Sequence, residues 1–176
     1  MQKSVYRKAK LFLKEYCNSA NNPDLFEYKS AYWKFLKNYG MDDNSIVAGV
    51  LYDIDDGKRF SDVIYGLILG LKKFDELASK AGKRNKEEKI RKMLIATTQD
   101  LRVLIIKLLE KLYMIKNADK ISNIDRDRIS RDVIEIYAPI SYRLGLSDIK
   151  WQLEDLSFKY MMSDKYYEIK NSVVVK

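Results

Sequence analysis

Apolar side chains recur every three or four positions along nearly all of the 176 residues, which predicts helix almost throughout. Over 4–17, Val5, Ala9, Phe12 and Tyr16 share one helical face, and the Asn, Ser and Pro chemistry of 18–24 then predicts a loop. A second helix is expected over 25–39, ending before Gly40. Asp42, Asp43 and Asn44 offer N-caps for a third over 44–54. Asp56-Gly57 breaks the chain, and a fourth helix of about 60–73 carries Val63, Leu67, Gly70 and Leu71. AGKRN at 81–85 reads as an internal loop. The longest stripe follows: Ile90, Leu94, Leu101, Leu104, Ile105, Leu108 and Leu112, widened by Val103 and Ile106, predict one central, mostly buried helix over 86–117. The helical pattern of 124–143 contains Pro139, which should kink or end it. Gly145 and Ser147 separate that stretch from a last helix at 148–162. With no repeat, linker or low-complexity segment, the pattern predicts one all-α domain over 1–176.

Composition adds one large exclusion, because the chain contains no histidine. That removes imidazole general acid/base catalysis, Ser-His and Cys-His nucleophile pairs, and every metal site that needs imidazole. The single cysteine, Cys17, cannot form an internal disulfide or a cysteine-rich metal site; it reads as a small buried hydrophobe and fits a reducing compartment. No apolar run reaches the roughly 18 residues of a membrane span. The basic N-terminus is interrupted by Lys14 and Glu15, so it reads as an amphipathic helix and not a signal peptide. A soluble, cytoplasmic protein is expected.

The net charge is +8, and 72–92 holds nine Lys/Arg against four Asp/Glu. This stretch suits phosphate contact, from a nucleotide or a nucleic acid, or else a solvated helical surface. The interleaving of Glu87 and Glu88 favours the surface reading, and the lack of interleaved aromatics makes nucleic acid an unfavoured partner. Arg91, Lys92 and Lys107 are the candidate phosphate contacts; Arg91 and Lys92 could equally fix a helix pair.

From about Tyr28 the chain resembles the hydrolase domain of the RelA/SpoT alarmone family, an all-helical HD-type phosphohydrolase fold. The resemblance rests on RKMLIATTQDLRVLIIKLLEKLYMIKN (91–117), IEIYAPISYRLGLSDIKWQLEDLSFKYM (134–161), VLYDIDDG (50–57) and FSDVIYGLILGLKKF (60–74), and covers about 28–170. The chain stops where the family's synthetase region would begin, so synthesis of (p)ppGpp by the family's route is not expected. In that family a divalent ion, usually manganese, is held by a first His, an adjacent His-Asp pair and a distant Asp, and activates water against the 3′-pyrophosphate of (p)ppGpp.

Carried over by position, the resemblance puts the first metal His at Tyr28, the His of the pair at Tyr52, its Asp at Asp53 and the distant Asp at Glu110. The family's substrate-facing Asn falls on Met114, and the acidic pair after His-Asp survives loosely as Asp55 and Asp56. The basic loop that reads guanine falls on 19–25, here SANNPDL, without Arg or Lys. Two metal histidines are thus tyrosines, and a neutral phenol substitutes poorly for imidazole. Asp53 and Glu110 are expected to face each other and could hold a hydrated Mg²⁺ or Mn²⁺ weakly; otherwise no cofactor is expected. Tyr28 and Tyr52 are expected to fill the vacated metal cavity with hydroxyls on Asp53 or Glu110. Glu110 could instead pair with Lys107 or Lys111, and Met93, Met114, Met161 and Met162 read as core filler. The preferred reading is an inactive HD-type domain acting by binding, with a guanine nucleotide, another protein or a second copy as partner. The alternatives are a residual phosphohydrolase using Asp53, Glu110, Asp55 and Asp56, and a basic nucleic-acid module.

Overall fold

The structure is a computed structural model that describes residues 2–80, 86–97 and 99–174. The expected loop at 81–85, with its Lys83 and Arg84, lies outside the described residues. Among the described residues the protein is all-α: α1 (Gln2–Ser19), α2 (Pro23–Asn38), α3 (Asp43–Leu51), α4 (Asp62–Lys80), α5 (Lys86–Ala96), α6 (Arg102–Lys116), α7 (Asn123–Asp132), α8 (Ala138–Arg143), α9 (Ser147–Met161) and α10 (Ser163–Val174). A 3₁₀ turn (Ala118–Lys120) follows α6, and a π turn (Val133–Tyr137) joins α7 to α8. The chain divides into two compact units, Met1–Lys107 and Leu108–Lys176, with the division inside α6.

In the first unit α3 is buried all round: every residue from Ser45 to Leu51 is inside. Its SIVAGVL sequence offers no polar face, as a helix surrounded by others requires. Ala9 and Leu13 of α1, Tyr32, Trp33 and Leu36 of α2, Ile64, Leu67, Ile68, Leu71 and Phe74 of α4, Met93 of α5 and Ile106 of α6 complete this core. Gly49 lets α6 come close, since a Cβ there would lie 2.9 Å from the Ile106 methyl. Cys17 is buried as expected, and burial pushes its thiol pKa up despite the nearby Lys29 charge.

Side chains set the helix starts. Asn22 accepts from the Leu25 N–H at 3.0 Å, with Pro23 in the first turn of α2. Asp42 caps α3 by accepting from the Asn44 and Ser45 N–H groups at 3.0 and 3.1 Å. Ser61 accepts from the Ile64 N–H at 3.2 Å as α4 begins.

The expected continuous helix over 86–117 is two helices. The Thr97 hydroxyl turns back onto the Met93 and Leu94 carbonyls at 2.9 and 3.0 Å, and the Asp100 carboxylate accepts from the Arg102 N–H at 3.0 Å. A helix end and a helix start are therefore written into Thr97 and Asp100, within an apolar stripe that continues across the break. The third helix is also shorter than 44–54, ending at Leu51, so Asp53 lies in the turn that follows.

The second unit packs α7, α8 and α9 with the π turn, around Ile129, Val133, Ile136, Tyr137, Ile140 and Leu153. Pro139 is accommodated without ending the helix: the Ala138 N–H reaches back to the Val133 carbonyl, five residues away, and this wider turn makes room for the proline ring. Met93 is core filler as expected, but Met161 and Met162 are 40% and 47% exposed, because α9 ends there and α10 follows. No helix among the described residues is long and apolar enough to cross a membrane.

Candidate functional site

The C-terminal end of α3 organises the site in the first unit. Helix C-termini leave carbonyls without intrahelical partners and carry partial negative charge. Here a lysine from α2 answers both. Lys29 is 5% exposed, and its ammonium donates to the Val50 carbonyl at 2.8 Å and to the Asp53 carboxylate in the turn beyond. A buried ammonium needs such partners, since an unpaired one would cost several kcal/mol. The Asp53 side chain remains 47% exposed, so the pair sits at the border between core and solvent.

A second buried lysine stands nearby. Lys107, in the first half of α6, is 1% exposed. Its ammonium lies 2.7 and 2.8 Å from the two Asp75 carboxylate oxygens on α4 and donates to the Tyr52 hydroxyl at 3.0 Å. The same ammonium sits 4.4 Å from the Tyr52 ring centroid, within cation–π range. α4, α6 and the turn after α3 are therefore tied together by one charge.

The residues singled out in the sequence take the following places. Asp53 and Tyr52 come together with two ammonium groups, Asp53 on Lys29 and Tyr52 on Lys107. Tyr28 is 42% exposed and does not fill an enclosed cavity. Asp55 accepts from the Gly57 N–H at 2.7 Å and pairs with Arg59 at 3.0 Å, while Asp56 accepts from the Lys58 N–H at 3.0 Å. Both acids thus build the turn before α4. Lys107 is buried and committed to Asp75 and Tyr52, so it presents no open ammonium to a phosphate in solution. Arg91 is exposed on α5, and Lys92 forms the expected helix-face pair with Glu88 at 2.8 Å. Glu110 and Met114 lie on the half of α6 that belongs to the second unit, where Lys111 approaches the Met114 sulfur at 3.8 Å. In 19–25, Asn22 and Pro23 serve the start of α2.

Sequence reasoning missed Lys29 and Asp75. The signal for Lys29 was present: it lies three and seven residues before Tyr32 and Leu36, on the buried stripe of α2. A lysine on an apolar stripe asks for a buried acceptor. Asp75, half-exposed on α4, gave no such signal.

Among the described residues, no three His, Cys, Asp or Glu side chains gather in a way that could hold a metal ion. The site's chemistry is that of fixed positive charge. Two ammonium groups are held in place on carboxylate, carbonyl and phenol oxygens.

Comparison with known proteins agrees with the helical architecture. Residues 14–147 match the family model described as the HD domain. The guanosine-3′,5′-bis(diphosphate) 3′-pyrophosphohydrolase of Borreliella burgdorferi is 36% identical over 146 residues, covering 78% of this chain and 22% of that protein. The GTP pyrophosphokinase of Streptomyces antibioticus is 37% identical over 143 residues, covering 76% and 17%. The bifunctional (p)ppGpp synthase/hydrolase SpoT of Escherichia coli is 32% identical over 142 residues, covering 76% and 20%. The chain spans about a fifth of the length of these curated relatives. It belongs to the HD-domain family, with homology to RelA/SpoT (p)ppGpp hydrolases.

Proposed function

We propose that this chain is a catalytically inactive RelA/SpoT-like HD domain that acts by binding, in guanine-nucleotide signalling. The observation that carries the reading is the Lys29 ammonium on Asp53. Asp53 is the carboxylate that the resemblance assigns to the metal-binding His-Asp pair. A cation attracted to it would have to displace a buried lysine that also holds the Val50 carbonyl. The other assigned positions reinforce this. Tyr28 and Tyr52 offer neutral phenol oxygens, and the Tyr52 hydroxyl already accepts from a second ammonium. The donor set does not fit a manganese site built from imidazole and carboxylate. Where the family draws its positive charge from a metal, this chain supplies it with lysine.

A second reading, a residual metal-dependent (p)ppGpp or nucleotide hydrolase, draws on the homology to proteins named as 3′-pyrophosphohydrolases. It requires Asp53 to leave Lys29 and Asp55 to leave Arg59 and the Gly57 N–H.

Thermal unfolding with added ligand separates the two, because a ligand of the folded state raises the melting temperature. The binding reading expects a concentration-dependent rise with ppGpp or GDP in the presence of EDTA. No rise with Mn²⁺ alone is expected. A rise with Mn²⁺ that is lost in Asp53→Ala would support the hydrolase reading instead.

A further inference from the structure

We propose that the outward face of α8 and α9 is where two copies of this chain meet. Trp151 of α9 is 68% exposed and Tyr142 of α8 is 72% exposed. The buried side of α9 is formed by Ile149, Leu153 and Ser157, and Trp151, midway between the first two in the chain, projects from the opposite side. The Lys150 ammonium lies 5.4 Å from the Trp151 ring centroid and 6.0 Å from that of Tyr142, so both rings belong to one face. α7, α8, the π turn and α10 all pack against α9, yet none of them covers Trp151. The fold thus leaves two large rings in water side by side, and Trp and Tyr are residue types that dominate the energetics of protein interfaces.

Charge selects the occupant. The chain carries +8 overall, so two copies repel each other across most of their surfaces. Residues 2–38 hold eight Lys/Arg against three Asp/Glu, whereas 138–161, which span α8 and α9, hold three of each. On this face the Lys150 ammonium is already matched by Glu154 at 2.7 Å. Arg143 follows Tyr142 in the chain, and Asp148 lies one helical turn before Trp151; both are exposed, so a charge of each sign stands beside the rings. A face with both signs is complementary to itself when turned by a twofold axis, as a contact between identical surfaces requires. A partner of one sign throughout would meet a like charge at Arg143 or at Asp148. A second copy brings its own pair of rings and one charge of each sign, and at this face the +8 repulsion is locally absent.

Sedimentation equilibrium of the full chain tests this. The face predicts a reversible monomer–dimer equilibrium that strengthens as NaCl is added, because salt screens the overall repulsion while the balanced charges at the contact change little. Trp151→Ala should weaken the dimer about tenfold or more, and Tyr142→Ala should weaken it in the same direction. Both variants should keep the thermal unfolding midpoint of the dilute chain, since both side chains are exposed. Fluorescence gives a second readout: Trp33 is buried in the monomer, so a blue shift of emission with rising concentration reports the covering of Trp151. A chain that stays monomeric, a dimer untouched by Trp151→Ala, or a dimer that salt dissociates would overturn the proposal. So would a monomer whose emission shifts blue on phosphatidylglycerol vesicles and no longer does so in Trp151→Ala, which would make the face a lipid contact.

Discussion

Lys29 and Lys107 are buried charges whose partners decide whether they stabilise or destabilise the fold. A buried ion pair gives little net stability compared with an apolar pair, but breaking one by removing a single partner is costly. Asp75→Ala leaves the Lys107 ammonium with Tyr52 and without its bidentate carboxylate. Because the Asp75 side chain is 42% exposed and water can partly replace it, the expected loss is about 2 kcal/mol, below the range for fully buried pairs. Adding Lys107→Met should return a large part of it, and urea unfolding of the single and double variants measures both effects.

Asp42 carries a pH signal. Burial works to raise its pKa, but the Ser45 hydroxyl and N–H, the Arg102 charge and the Asn44 N–H together hold it below its ordinary 3.8. A carboxyl with a lowered folded-state pKa contributes stability that is present above the unfolded value and is lost as pH falls through the folded value. Stability should therefore fall as pH drops below about 3.8. Asp42→Asn, which keeps the cap geometry without the charge, should show a shallower acid limb. Asp42→Ala should cost about 1 kcal/mol at neutral pH through the lost cap.

At the scale of elements, the helix pattern was legible wherever the apolar stripe and the capping residues agreed. α2, α3 and α9 start within a residue or two of the expected positions, because Asn22, Asp42 and Gly145 act locally. The break in the long stripe was not read, since Leu94 and Leu101 keep the helical interval across it while Thr97 and Asp100 end one helix and begin another. Two caps hidden inside a continuous apolar period outweigh that period. Asp100→Ala should destabilise the start of α6, because it removes the Arg102 N–H acceptor and the bidentate Arg102 partner together. A loss of 1–2 kcal/mol, about what one cap gives, should appear in urea unfolding.

The turn after α3 depends on Gly57. It adopts φ +82, and a Cβ there would lie 2.8 and 2.9 Å from Ile68 and Ile64 side-chain carbons and 3.2 Å from the Tyr65 backbone nitrogen. Gly57→Ala combines a left-handed backbone with these clashes and should cost about 2 kcal/mol or more. Its thermal unfolding midpoint is expected to fall accordingly. α10 was not anticipated: the last expected helix ended at 162, and the stretch that follows opens on the polar SDK.

For the whole molecule, the all-α class followed from the pattern, and membership of the HD-domain family follows from the match over residues 14–147. Periodicity gave no view of the division of the chain inside α6, which depends on where non-local contacts cluster. The candidate site was legible only as a set of positions. The missing histidine directed attention to Tyr28, Tyr52, Asp53 and Glu110. The residues that occupy the Asp53 and Tyr52 oxygens came from elsewhere: Lys29 from the buried stripe of α2, and Lys107 from the buried face of α6. No local rule pairs residues that are 24 or 55 positions apart.

The central claim is that lysine, and not a metal ion, occupies Asp53 and that the chain binds without hydrolysing. It is tested most directly by incubating the purified chain with ppGpp and Mn²⁺ and measuring pyrophosphate release, alongside Asp53→Ala and Lys29→Met. The account predicts no release above the protein-free control for any of the three. Release by the unaltered chain that disappears in Asp53→Ala would contradict it.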